Sequence, residues 1–107
     1  MPEPVVIKNE AERRFELRDG ADGPVLGFAD YRPGGESLII AHVEVAPANE
    51  GKGFAGRLMA GLLEQLRAEQ TTVLPMCPYA DAYIRRHPEH AIDVDPSMRT
   101  RYQPREG

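Results

Sequence analysis

The sequence predicts an α/β protein of the α+β kind, in which a mixed, mostly antiparallel sheet carries one main helix and a short second helix. Short apolar runs follow one another in the first half of the chain, and the polar turns between them suit antiparallel pairing. A long amphipathic helix pattern, Phe54 to Glu69, then separates the run Ser37 to Val45 from the run Thr71 to Leu74. A strand, a helix and a strand in this order form a right-handed crossover, so the two strands should be parallel.

Strands are predicted before the main helix because β-branched and aromatic residues alternate with polar ones. Clusters of turn-forming residues at Gly20 to Gly23 and Arg32 to Glu36 separate these runs. The predicted strands are Val5 to Lys8, Arg14 to Arg18, Pro24 to Tyr31 and Ser37 to Val45.

The main helix is predicted from large apolar residues that recur every fourth position and so share one face. These residues are Phe54, Leu58, Leu62 and Leu66. Gly56 and Gly61 interrupt this pattern, and each costs about 1 kcal/mol of helix propensity relative to Ala. Close packing or the approach of a ligand accounts for such a cost, and we expect Gly56 to face a phosphate ligand and Gly61 to face the sheet.

After the short strand, Tyr79 to His87 is predicted as a second helix, which Pro88 ends. A chain of 107 residues suits one domain, and residues 1–93 are assigned to it. Residues 94–107 contain further prolines and many charges and are predicted to form a loose tail.

Composition argues against several classes of partner. The net charge is −4 and the pI is about 5.3, so the chain has no general basic footprint for nucleic acid or an anionic membrane. No run approaches the roughly 18 apolar residues of a membrane span, and Met1-Pro2-Glu3-Pro4 is neither a signal sequence nor a lipidation motif. A cytoplasmic protein is expected. The single cysteine, Cys77, excludes an intramolecular disulfide and a cysteine-cluster metal site.

A glycine-rich stretch joins the fourth strand to the main helix. Residues 49–56 read Asn-Glu-Gly-Lys-Gly-Phe-Ala-Gly. Such a turn offers unpaired backbone N–H groups, the positive end of the helix dipole and no Cβ obstruction, which together favour a bound phosphate. Lys52 is followed by Gly53 rather than by Ser or Thr, and the glycines lack the dinucleotide-binding spacing, so neither familiar nucleotide motif is present. A phosphorylated ligand of another kind is expected.

The stretch resembles the acyl-CoA pyrophosphate loop of the GCN5-related N-acetyltransferases (GNATs), where Arg or Gln, two residues, Gly, one residue and Gly or Ala lead into a helix. This pattern falls on Glu50, Gly53 and Ala55, and Glu50 departs from the usual Arg or Gln. Further segments resemble the family's strand end and a subgroup of very small, single-domain members. They are Val43-Glu44-Val45-Ala46-Pro47, Cys77-Pro78-Tyr79, Tyr83-Ile84 and His87-Pro88-Glu89-His90. The resemblance covers about residues 13–90.

The resemblance implies acetyl-CoA as cosubstrate and an amine as acceptor. In this family the strand before the loop splays from the next strand, and its exposed N–H groups bind the thioester carbonyl and the pantetheine amides. Val43 and Val45 are the matching positions. The cofactor-binding residues so implied are Val43, Val45, Gly51, Lys52, Gly53, Phe54, Ala55 and Gly56.

Candidate catalytic residues lie near this loop. Strand alternation places His42 and Glu44 on one face at the carboxyl end of the fourth strand, where either could act as general base or remain a surface group. Tyr83 resembles the tyrosine that many GNATs use as general acid for the coenzyme A thiolate, or it is a core aromatic. Cys77 could donate a proton, accept the acetyl group as a thiolate activated by His42, or be an inert buried side chain.

No metal site is predicted. His87, Glu89 and His90 contain ligand-type side chains, but Pro88 prevents a regular helical arrangement and no other ligand cluster accompanies them.

The acceptor is open at this stage. Full-length family members carry an N-terminal helical segment that walls the acceptor site, and the chain has little room for one between Lys8 and Arg14. An open groove, or one completed by a partner subunit, would suit a protein, a polyamine or a small-molecule amine. Two alternatives are a non-catalytic acyl-CoA-binding or sensing module and an interaction scaffold without coenzyme A affinity.

Overall fold

In the computed structural model, residues 3–102 are described. Its strands are β1 (Val5–Asn9), β2 (Arg14–Arg18), β3 (Val25–Gly34), β4 (Ser37–Val45) and β5 (Val73–Pro75), and its α-helices are α1 (Phe54–Ala68) and α2 (Pro78–Arg86). The strands form one sheet in the order β1-β2-β3-β4-β5. The first four pair antiparallel, and β5 pairs parallel to β4. The predicted mixed, mostly antiparallel α/β fold is confirmed.

The predicted elements differ from the observed ones mainly at their ends. β3 continues to Gly34 rather than ending at Tyr31, because Arg32–Gly34 still pair with β4 and the hairpin turns tightly at Gly35. Gly35 has a φ of +72°, a conformation that glycine adopts without strain. β5 lies closer to the second helix than predicted, at Val73–Pro75.

The pairing between β3 and β4 is interrupted by a bulge. Asp30 pairs with His42 and Tyr31 pairs with Ile40, so Ala41 is the extra residue of β4. The bulge shifts the alternation of β4 by one residue. Both Ile40 and Val43 therefore pack into the core between the sheet and the helices, whereas His42 lies on the opposite, exposed side.

The core lies between one face of the sheet and the helices. α1 buries Leu58, Met59, Leu62, Leu63 and Leu66. Gly61 faces the sheet as predicted, and a Cβ at this position would clash with the Val6 side chain of β1. The glycine thus lets β1 lie close to α1. No helix within residues 3–102 is both long enough and apolar enough to cross a membrane.

Residues 94–102 pack against the domain, which differs from the loose tail that the sequence analysis expected. Val94 is fully buried and forms a bridge with Val73. Ser37 Oγ donates to Asp95 Oδ2 at 2.6 Å, and Tyr102 Oη donates to Asp81 Oδ1 at 2.7 Å. These contacts are made by isolated residues between prolines and charges, so no periodic pattern revealed them. Residues 103–107, the rest of the predicted tail, lie outside the described residues.

Candidate active site

A gap opens where β4 and β5 separate. β5 pairs with Leu38–Ile40 only, and after Met76 N donates to Ile40 O at 3.1 Å the chain turns into α2. A cavity of about 270 Å³ lies between the remaining part of β4, the glycine-rich loop and α2. Its lining residues are Val43, Val45, Asn49, Glu50, Gly51, Gly53, Phe54, Ala55, Gly56 and Tyr79.

The backbone of β4 directs N–H groups toward this gap. Ala46 N donates to Leu26 O of β3 at 3.4 Å. In an antiparallel ladder the N–H groups of alternate residues point to the same neighbour. Those of Val43 and Val45 therefore point away from β3, toward the side on which β5 has separated.

The loop places further N–H groups at the cavity. Gly51 and Gly53 have φ values of +80° and +76°, and a Cβ on either would meet no atom within 4 Å. The left-handed backbone conformation therefore favours glycine at both positions, and the space beside each glycine is open. Gly53 is the N-cap of α1, and Arg57 N makes the first helical bond to its carbonyl at 3.2 Å. The N–H groups of residues 54–56 precede that bond and remain available to an anion at the positive helix end.

The charged side chains of the loop differ in their position relative to the cavity. Glu50 is exposed and is the charged member of the cavity lining. Lys52, one of the cofactor-binding residues that the resemblance implies, is exposed in the loop but does not belong to that lining. Arg57 borders a separate groove between α1 and β1. The cavity lining formed by the described residues thus contains no cationic side chain, and backbone N–H groups there could contact an anion.

Two tyrosines of α2 lie beside the cavity. Tyr79 lines it, whereas Tyr83, one turn further along, lies next to α1, where a Cβ on Gly56 would stand 3.9 Å from Tyr83 Cε2. Burial raises the pKa of Tyr83, and the charges of Tyr79 and Glu89 add to this effect. Burial also raises the pKa of Tyr79, which the nearby Arg86 partly offsets. Both phenols are therefore protonated at neutral pH and able to donate a proton.

The sequence prediction selected Tyr83 and passed over Tyr79. Helical spacing places both tyrosines on one side of α2, and only the separation of β4 from β5 decides which of them lines the cavity. Asn49, which also lines the cavity, was likewise not among the predicted site residues.

His42 and Glu44 share one face of β4, as predicted. His42 Nε2 lies 3.5 Å from Glu44 Oε1, and their side chains are 56% and 58% exposed. This face points away from α1 and α2, and neither residue lines the cavity. They are nevertheless the immediate chain neighbours of Val43 and Val45, so the two sets of groups lie on opposite sides of the same short stretch of backbone.

Cys77 lies at the N-cap of α2 and is 4% exposed. It belongs to the hydrophobic core and does not line the cavity at the glycine-rich loop. Instead it borders a second cavity of about 360 Å³, whose lining includes Asp81 and Tyr102. The thiol is thus buried beside a cavity that it shares with residues of the C-terminal segment.

Ligand-type side chains near the end of α2 are paired individually. His87 Nδ1 lies 3.4 Å from Glu89 Oε1, and His90 Nδ1 lies 2.8 Å from Asp93 Oδ2. Among residues 3–102, no three His, Cys, Asp or Glu side chains are grouped in a way that could hold a metal ion.

The sheet, the glycine-rich helix start and the gap between two parallel strands define an α+β protein with a cleft at the carboxyl ends of those strands, the place where ligands of open α/β sheets tend to bind. A family model described as GCN5-related N-acetyl-transferase matches residues 14–94 of the 107-residue chain. The match spans most of the chain, so this protein belongs to the GCN5-related N-acetyltransferase family. No curated protein matches the chain. Family membership supports an acyltransferase-type function.

Proposed function

We propose that this protein is an acetyl-CoA-dependent N-acetyltransferase that transfers an acetyl group to an amine. The observation that carries the proposal is the continuous cavity between the N-terminus of α1 and the free edge of β4. The N–H groups of residues 54–56 suit a pyrophosphate. Those of Val43 and Val45 suit the amide and thioester carbonyls of an extended acyl-pantetheine arm. Both parts match the chemistry of coenzyme A.

Acetyl-CoA supplies the acetyl thioester for this reaction. The N–H groups of Val43 and Val45 hold the thioester carbonyl and stabilise the negative charge that develops on its oxygen when the amine attacks. The new bond joins the amine nitrogen to the acetyl carbon, and the bond that breaks joins that carbon to sulfur. The protein must remove a proton from the amine and return one to the thiolate.

Glu44 is the proposed general base, with His42 beside it. The carboxylate is exposed on the side of the sheet that neither helix covers, so an amine can approach it from solvent. Glu44 accepts the amine proton directly or through a water molecule, and the nearby imidazole holds the carboxylate in place.

A tyrosine of α2 is the proposed general acid. Tyr79 lines the cavity and Tyr83 lies one turn beyond it, and both keep their protons at neutral pH. Tyr79 is the better placed to donate its proton to the sulfur end of the cavity, because it belongs to the first turn of α2, beside the separation of β4 from β5.

Transfer is proposed to be direct. Cys77 is buried and borders a different cavity from the one at the glycine-rich loop, so an acetyl-cysteine would require the packing around the thiol to open. The acceptor is a protein, a polyamine or a small-molecule amine that reaches β4 over the exposed face.

An amine screen tests the proposal. Release of the coenzyme A thiol is followed for a panel containing a polyamine, lysine-containing peptides and simple primary amines, with acetyl-CoA in excess. The proposal predicts release that depends on one class of amine and yields an acetylated product by mass spectrometry. Acetyl-CoA binding without release for any amine would instead identify an acyl-CoA sensor, and the absence of binding would leave an interaction scaffold.

A further inference from the structure

A row of flat side chains extends from the cavity along α2. Tyr79, Tyr83 and His87 follow one another at every fourth position. The ring centroids of Tyr83 and His87 are 4.3 Å apart with an interplanar angle of 33°, so the two rings pack against each other in a tilted arrangement. The His90 ring approaches Tyr83 to 6.0 Å.

Carboxylates lie beside both histidines. His90 Nδ1 lies 2.8 Å from Asp93 Oδ2, and Arg67 donates to both oxygens of the same carboxylate at 2.7 and 2.8 Å. His87 Nδ1 lies 3.4 Å from Glu89 Oε1. The contact with Asp93 orients the His90 ring, and packing against Tyr83 orients the His87 ring, which lowers the entropy cost of stacking against them.

The row is only partly covered. The His87 side chain is 43% exposed, whereas that of His90 is 20% exposed. The Tyr83 ring packs against the His87 ring, and part of the His87 side chain is open to solvent. An aromatic surface that is rigid and supported yet open to solvent is suited to a planar ligand.

The position of the row relative to the phosphate-binding loop specifies that ligand. Tyr79 lines the cavity, and Tyr83 lies beside Gly56 in the first turn of α1. Helical rise places His87 about 6 Å beyond Tyr83 along α2, and Tyr83 is the tyrosine that lies beside the first turn of α1. In a nucleoside diphosphate one ribose separates the base from the pyrophosphate. The distance across this ribose is comparable to the distance along α2 from Tyr83 to His87.

We propose that His87, supported by Tyr83, is a stacking platform for the adenine ring of the acyl-CoA cosubstrate. This inference rests on the proposed function, since it assigns the far end of the same ligand. The pyrophosphate binds the N–H groups at the start of α1, and the adenosine turns along α2 to reach the platform. Nucleobase recognition is then by ring stacking at His87.

The test compares two ligands on three proteins by calorimetric titration. The ligands are acetyl-CoA and S-acetyl-4′-phosphopantetheine, which lacks adenosine, and the proteins are the wild type, His87→Leu and His87→Phe. Because stacking of a base on an aromatic ring contributes to the binding free energy, His87→Leu should raise the Kd for acetyl-CoA by about tenfold. The affinity for the adenosine-free ligand should not change. His87→Phe keeps a flat ring and should retain acetyl-CoA binding within about twofold.

A second measurement uses the wild type alone. The ring protons of His87 should shift upfield in NMR spectra when acetyl-CoA or adenosine 3′,5′-bisphosphate is added, and not when S-acetyl-4′-phosphopantetheine is added. Equal weakening of both ligands by His87→Leu, no weakening of either, or unshifted His87 protons in the acetyl-CoA complex would overturn the platform while leaving the proposed function intact. A wild type that binds neither acylated ligand would overturn both.

Discussion

His42 Nε2 and Glu44 Oε1 lie 3.5 Å apart on the side of β4 that faces away from α1 and α2. The residues between and beyond them, Val43 and Val45, line the cavity on the other side. The bulge at Ala41 produces this arrangement. In a regular strand His42 and Glu44 would share the buried face with Ile40, whereas the extra residue places Val43 and Val45 on that face instead. A thioester bound along β4 and an amine arriving over the exposed face would therefore meet at the same strand.

The role of Glu44 gives the first prediction. Glu44→Gln removes the proton acceptor but keeps the size of the side chain, so kcat for amine acetylation should fall by about 100-fold or more. The Kd for acetyl-CoA should not change, because the side chain lies outside the cavity. Steady-state kinetics and calorimetry measure the two quantities.

Glu36→Gln is the matched control, since Glu36 is an exposed carboxylate in the β3–β4 turn, away from the cavity. It should leave both kcat and Kd unchanged. Wild-type turnover in Glu44→Gln would remove Glu44 from the mechanism.

Glu50 gives the second prediction, because its negative charge borders a site proposed to bind pyrophosphate. Glu50→Arg should tighten acetyl-CoA binding by about three- to tenfold, the range expected for reversing one solvent-exposed charge near an anion. The gain should shrink as salt is added, since exposed charges are screened. Unchanged or weaker binding in a folded Glu50→Arg protein would show that no anion binds close to residue 50.

The sequence allowed the fold and the glycine-rich start of α1 to be predicted because both depend on local patterns. The four-residue repeat of α1, from Phe54 onward, and the glycines that open it are visible in the chain itself. The bulge at Ala41 was not predictable, because it depends on the register between β3 and β4. The choice of Tyr79 over Tyr83 as the cavity-lining residue also required tertiary structure, as did the packing of Tyr102 against Asp81.

Cys77 gives the third prediction, which separates direct transfer from an acetyl-cysteine intermediate. Cys77→Ala should retain most of the turnover, and its free energy of unfolding should fall by about 1 kcal/mol, because a small buried side chain is lost. Intact-mass spectrometry of the wild type with acetyl-CoA and no amine should show no acetylated protein. An acetyl adduct that disappears in Cys77→Ala, together with abolished turnover, would establish the two-step route instead.

Asp95 gives the fourth prediction, which concerns stability. Hydrogen bonds from Ser37 and Ser97 lower the pKa of Asp95 from 3.8 to about 2 in the folded protein. A carboxyl group whose folded pKa is lowered stabilises the fold above its unfolded pKa, and this contribution is lost as the pH falls from about 4 to about 2.

Asp95→Asn should therefore be less stable than the wild type near neutral pH, and the difference should narrow below about pH 4. Urea unfolding of both proteins at several pH values measures it. A difference that stays constant down to about pH 2 would show that ionised Asp95 does not hold the C-terminal segment against β4.

The proposed function depends on binding of the acetyl-CoA pyrophosphate at the start of α1, and calorimetric titration of Gly53→Glu and Gly35→Glu is the test of that binding. Both glycines have positive φ, at +76° and +72°, and both have open space beside them, so the backbone penalty is matched. Gly53 lines the cavity and Gly35 lies in the remote β3–β4 turn. Saturable acetyl-CoA binding is expected in the wild type and in Gly35→Glu, and no binding is expected in Gly53→Glu. Equal binding in the two variants, or no binding in the wild type at millimolar ligand, would show that the start of α1 does not hold the pyrophosphate.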